Sequence, residues 1–153
     1  MSRPLSPAEL QQIREECRAL VRKRALVSAG AATVPIPLLD LVVDASLLMQ
    51  LLPEISTRFG LGVDDIDAMD PEQRAKTWQR IRQRGSQLIG IVLTRAAIRK
   101  VFDGMVGRLI ARQVTKFVPL GGQLVAAGIG YFVLRRIAYQ HIEDCYAVAA
   151  GST

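Results

Sequence analysis

Apolar residues recur at helical spacing almost from the start of the chain. Leu10, Ile13, Cys17, Leu20, Val21 and Val27 follow one another at steps of three, four and seven, with Glu9, Arg14, Glu15, Arg18 and Arg22 largely off that stripe. This predicts an amphipathic first helix. Ser6-Pro7-Ala8-Glu9 is a capping box with proline at the first helical position, which sets its start. The helix becomes small and uncharged at Ser28-Ala29-Gly30-Ala31-Ala32, where another helix can approach closely. Pro35-Ile36-Pro37 stops it, because proline disfavours helix in the residue before it.

A second, apolar helix is expected from Leu38 to Leu52, interrupted by Asp40 and Asp44 at i,i+4. Pro53 is expected to kink or end it, and Phe59-Gly60-Leu61-Gly62 to close the segment. Asp64 to Glu72 resembles a calcium loop only superficially. A loop starting at Asp65 needs glycine sixth and glutamate twelfth, and finds Asp70 and Lys76 there. Capping explains these acids better, with Asp64 opening a short turn and Asp70-Pro71-Glu72-Gln73 the next helix. That helix places Trp78, Ile81, Leu88, Ile89, Val92 and Ala96 on one face, and Lys76, Arg80, Arg84 and Gln87 on the other. Gly85 and Gly90 are expected to bend it or admit a neighbour. Asp103-Gly104 breaks the pattern before a short basic helix over 105–116.

Residues 117–134 carry no charge. Pro119-Leu120-Gly121-Gly122 marks a turn into the last helix, so the uncharged helical part spans about 22 Å, less than a bilayer core. Small residues at Gly122, Ala126 and Gly130 recur every four, a close-packing stripe common to soluble and membrane helices. Arg112 and Lys116 before the segment and Arg135 and Arg136 after it give no orientation signal. Burial in protein and burial in membrane both remain open for this segment. The expected architecture is all-α: one bundle of about six helices over residues 1–153, with frayed ends at 1–5 and 150–153. The 25–52 and 117–134 stretches form its Gly/Ala-packed centre.

Composition sharpens this picture. The chain is 50% hydrophobic with a net charge of +6. By segment the charge is +3 over 1–24, −7 over 25–73, +10 over 74–116 and zero over 117–153. Either the acidic and basic blocks face each other, or the basic block, with Lys76, Arg80 and Arg84, faces an anionic surface. Two cysteines exclude a disulfide scaffold and act as small apolar residues. Met1 to Gln12 is too polar for a signal-peptide core, so the expected place is the cytoplasm or the cytoplasmic face of a membrane.

Catalytic and cofactor signatures are scarce. Gly85-Ser86-Gln87-Leu88-Ile89-Gly90 has the glycine spacing of a phosphate loop, but Ile91 and Val92 stand where lysine and a hydroxyl are needed. No GxSxG, HExxH or CxxC occurs. His141 and Cys145 share a helical face at i,i+4, too few ligands for zinc, and a histidine bonding a neighbour near a helix end is the simpler reading. Asp44 lies among apolar residues. It reads either as half of a buried pair with an arginine of the 74–116 block or as an ion or proton site within a membrane. Arg74, Lys76, Arg80, Arg82 and Arg84 could neutralise phosphates, yet Trp78 falls on the apolar face, so nucleic acid is set aside as a partner. No enzyme activity, cofactor or metal is expected.

One stretch resembles a known family. Val27 to Pro37, then Asp44, Leu47, Leu48 and Arg58-Phe59-Gly60-Leu61, is similar to the C-terminal helical region of immunity-related GTPases. A similar helical domain follows GTPase domains in bacteria. Lys116-Phe117-Val118-Pro119-Leu120-Gly121-Gly122 and the helix to Leu134 resemble that region's closing helices. The likeness covers residues 20–149, with Leu38 where the family usually has glycine. The GTPase phosphate loop has no counterpart here, so nucleotide hydrolysis is not implied. The resemblance implies an all-helical module that packs on partners and associates with membranes, with Pro35, Pro37, Asp44, Gly60, Pro119 and Gly121 architectural. The expected function is a non-catalytic module that binds an anionic membrane surface or a protein partner, such as a separate GTPase. The alternative is a soluble homo-oligomeric scaffold or inhibitor without membrane contact.

Overall fold

The computed structural model describes residues 3–31, 39–86, 88–90, 100, 104 and 122–151, with 27–31, 39–45 and 122–131 described as backbone only. The fold is all-α, and five helices lie among the described residues: α1 (Pro7–Ala31), α2 (Leu39–Arg58), α3 (Val63–Asp67), α4 (Pro71–Arg84) and α5 (Gly122–Ala150). The expected 105–116 helix, Pro35, Pro37, Pro119 and Gly121 lie outside them.

Local sequence sets the starts of α1 and α4 as expected. Ser6 N–H donates to Glu9 Oε2 at 2.7 Å and Glu9 N–H to Ser6 Oγ at 3.3 Å, which closes the capping box of α1. Asp70 caps α4, accepting from Gln73 N–H at 2.9 Å, with Pro71 following. α3 does not open at Asp64: it starts after Gly62, and the Asp65 carboxylate, three residues on, accepts from Gly62 N–H at 3.0 Å. Capping therefore accounts for Asp65 and Asp70.

Two helix ends differ from expectation. α2 continues through Pro53 to Arg58. Leu48, Leu51, Leu52 and Ile55 are fully buried on both sides of the proline, and that continuous apolar face outweighs the lost backbone bond, worth about 3 kcal/mol in an isolated helix. α4 does not continue to Ala96. It ends at Arg84, where Gly85 takes the left-handed conformation (φ +74°) and donates back to the Ile81 and Arg82 carbonyls. Gly90, also at positive φ, lies against Trp78 so closely that an added Cβ would stand 2.7 Å from the ring.

α5 is the central element and packs on α1, α2 and α4. Its buried residues Leu134, Ile137, Ala138, His141, Ile142, Cys145, Val148 and Ala149 form a wide 3–4-spaced stripe because neighbours surround it. Opposite lie Leu10, Cys17, Val21 and Ala25 of α1 and Leu48, Leu51, Leu52 and Ile55 of α2. The described core is thus built chiefly of Leu, Ile and Val. The Gly/Ala-rich parts of 25–52 and 117–134, including the Asp44 side chain, lie outside the described side chains.

Charged groups tie the helices together at the rim. Glu143 of α5 receives both nitrogens of an Arg14 fork (3.0 and 2.6 Å) and one of Arg18 (2.6 Å), both from α1. Arg14 also lies over the Tyr146 ring at 4.9 Å and Arg18 over Tyr139 at 5.9 Å. Burial raises the Glu143 pKa, but the hydrogen bonds from both arginines outweigh it and hold the carboxyl below its ordinary value. Arg24 pairs with Glu54 at 2.8 Å between α1 and α2, and Arg84 with Asp144 at 2.9 Å between α4 and α5. With Arg58 of α2 also reaching Glu16 of α1 at 3.7 Å, these contacts make α1 antiparallel to both α2 and α5.

Glu143→Ala should lower stability by about 1–2 kcal/mol, since the partly buried clasp is charge-assisted but still screened. Urea unfolding of Glu143→Ala, Arg14→Ala and the double variant checks this. Coupling near zero would mean that the clasp contributes no stability.

Candidate functional site

Three places collect the polar chemistry of the described fold. The first is buried. Ser56 of α2 and His141 of α5 lie in the core, with Ser56 Oγ 2.8 Å from His141 Nε2. Cys145 Sγ lies 3.6 Å from the same nitrogen and 4.0 Å from Ser56 Oγ. The i,i+4 spacing puts His141 and Cys145 on one face of α5, as expected, and that face is the core stripe. His141 is not near a helix end but within α5, held there by packing on both sides. Nδ1 makes no hydrogen bond of normal geometry. The Leu52 carbonyl is nonetheless near enough to favour the protonated ring. What the sequence did not disclose is the partner Ser56, which lies 85 residues away and carries no motif.

This trio has the residue types of a nucleophile and base but not the chemistry. Burial pushes the imidazole down to about 4, against weaker pulls from Asp144 and Leu52, so the ring is neutral at pH 7. Burial also pushes the Cys145 thiol up to about 12 and Cys17 up to about 11, keeping both protonated. His141 is 1% exposed, closed off from solvent in the core. The trio is a polar link between α2 and α5.

The second place is the face of α4. Lys76, Arg80 and Arg84 stand one turn apart on it, as the periodicity predicts. The structure engages two of them internally: Lys76 Nζ bonds Glu72 Oε1 at 2.6 Å and Arg84 Nε bonds Asp144 Oδ1 at 2.9 Å. Arg80 is half-buried beside Gly151. Lys76, Arg80 and Gly60 (φ +69°) also line an open groove of about 690 Å³ between the N-terminal segment, the α2–α3 turn and α4. The same groove holds Asp65, Asp70 and Glu72, so its charges are of both signs.

The third place is the rim of the α1/α5 seam. Arg14, Arg18, Arg22 and Leu26 follow at steps of four on α1. Tyr146, Glu143, Tyr139, Arg136 and Phe132 answer at steps of three and four on α5. Toward one end this rim is the Glu143 clasp. Toward the other, Leu26 is 62% and Phe132 49% exposed, the large hydrophobics most open to solvent among the described residues. Arg22, Lys23 and Arg136 beside them are exposed and make no ion pair with described residues.

Among the described residues no helix is long and apolar enough to cross a membrane, and no group of three His, Cys, Asp or Glu side chains could hold a metal ion. No protein-family model matches the chain, and neither a curated protein nor a solved structure matches it.

The histidine sets a pH dependence. Its folded pKa is depressed from 6.5 to about 4, so the unfolded chain binds the proton more readily. Stability is full above pH 6.5 and falls as pH drops toward 4, by at most about 3 kcal/mol. Urea melts at pH 7 and pH 4.5 should show this loss for the native chain and a flatter profile for His141→Gln. Equal slopes for the two would assign the acid sensitivity elsewhere.

Proposed function

We propose that the chain is a non-catalytic helical module that attaches peripherally to a membrane, on its cytoplasmic face, alongside a protein partner such as a separate GTPase. The observation that carries this reading is the axial polarity of the bundle. The antiparallel course of α1 against α2 and α5 gathers three helix ends at one pole: α1 toward Ala31, α2 from Leu39 and α5 from Gly122. In sequence these ends carry no basic residue over 25–57 or 117–134, and only Asp40 and Asp44 as charges before Glu54. The charged contacts of Glu143, Glu54 and Asp144 lie toward the opposite pole or along the rim.

The uncharged helical run of α5, Gly122–Leu134, is about 20 Å long, short of the roughly 30 Å hydrocarbon core, which favours attachment to one leaflet over spanning. The family resemblance supports the same reading, as does the basic sequence of residues 105–116. A second reading, a soluble homo-oligomer, draws support from the four-residue spacing of Gly122, Ala126 and Gly130 on the helical part of α5, which suits close approach of a second copy.

Fractionation of cells producing the chain separates the two. Membrane attachment predicts that it sediments with membranes at low salt and is released by alkaline or high-salt washing. Recovery in the supernatant at low salt as a defined oligomer would favour the second reading.

A further inference from the structure

We infer that the open stretch of the α1/α5 seam, around Leu26 and Phe132, is the surface that docks on an anionic bilayer. This rests on the membrane reading above and locates its contact, away from the α4 face. The first support is register. Arg18 lies over Tyr139 at 5.9 Å, which sets those two residues at one level. From there Leu26 is about 12 Å along α1 and Phe132 about 10 Å along α5 in the same direction. The two exposed apolar side chains thus stand at nearly the same height, on continuations of the stripes that meet at Glu143.

The second support is charge. The acidic partner of the rim is Glu143, and it is consumed by Arg14 and Arg18. One turn further, no carboxylate among the described residues pairs with Arg22, Lys23 or Arg136. Each exposed apolar residue therefore has a cation three or four positions away on its own helix: Lys23 and Arg22 for Leu26, and Arg136 for Phe132. One turn is about 5 Å of rise. Long cationic side chains reach headgroup phosphates by extending along the surface, while the apolar side chains beside them enter the acyl boundary. An acidic protein surface would satisfy the cations but leave Leu26 and Phe132 needing apolar partners among its carboxylates. A bilayer with anionic headgroups supplies both chemistries. On α4, by contrast, Lys76 and Arg84 are already paired.

The test is flotation of the full chain with phosphatidylcholine vesicles, either alone or with about 30% phosphatidylserine. The native chain should bind the anionic vesicles and lose them in high salt. Replacing Arg22, Lys23 and Arg136 together by Gln should weaken binding on the order of a hundredfold. Leu26→Ser with Phe132→Ser should weaken it at least tenfold, and both sets, being at exposed positions, should melt as the native chain does. The set Lys76→Gln, Arg80→Gln and Arg84→Gln should bind within about threefold of native. Failure of the native chain to bind any vesicle would overturn the membrane reading and this inference together. Native binding that survives the seam changes, or that is lost with the α4 set, would overturn the inference alone. A soluble oligomer that Leu26→Ser/Phe132→Ser dissolves, without vesicle binding, would assign the seam to a second copy instead.

Discussion

A carboxylate shared by two guanidiniums one helical turn apart is satisfied at a single axial offset of the helices that carry them. Glu143 imposes this constraint on the bundle. Its bidentate bond from Arg14 and single bond from Arg18 hold α1 against α5, and the Tyr146 and Tyr139 rings under the same arginines reinforce that offset. Apolar packing between the two helices tolerates a slide by a turn far better than this contact does, because the stripes of both helices repeat. Once α1 and α5 are fixed, Cys17, Val21 and Ala25 join the core beside the α5 stripe, and Arg24 reaches Glu54 to close α2 onto α1. The same offset puts Leu26 and Phe132 level with one another at the rim.

Inside that frame the Ser56–His141 bond is a second registration point, between α2 and α5. A neutral imidazole in the core costs little when one nitrogen is bonded, and much when it must ionise. The same groups that would suggest catalysis on a surface therefore act here as a specific link, one that weakens in acid. Two of the helices that flank α5 are fixed to it by different chemistry: α1 by ion pairs at the rim, α2 by a buried polar contact.

Much of the local structure is legible in the sequence because local rules decide it. Ser6-Pro7-Ala8-Glu9 and Asp70-Pro71 place two helix starts correctly, since caps depend only on residues within one turn. The apolar stripe of α1 is equally local. Longer-range competition decided the rest. Pro53 fails to end α2 because a buried face runs past it, and Gly85 ends α4 although the apolar period continues to Leu88 and Ile89. In that second case the left-handed glycine turn outweighed the periodic pattern, and Ile89 reaches the core from a turn instead. In sequence the basic α4 face either meets the acidic block or is left for an anionic surface, and the partner of Arg84, Asp144, lies sixty residues away outside that block. The seam at Leu26 and Phe132 has no signature either, because it depends on which arginines find Glu143 and which do not.

The central claim is that the fold closes one end of the α1/α5 seam with charge and leaves the other to meet a charged surface. Hydrogen exchange of the native chain, with and without anionic vesicles, tests it most directly. The account predicts slowed exchange in segments spanning 22–26 and 132–136, with 71–84 and the Glu143 region unchanged. Slowing confined to 71–84, or identical exchange throughout, would contradict it.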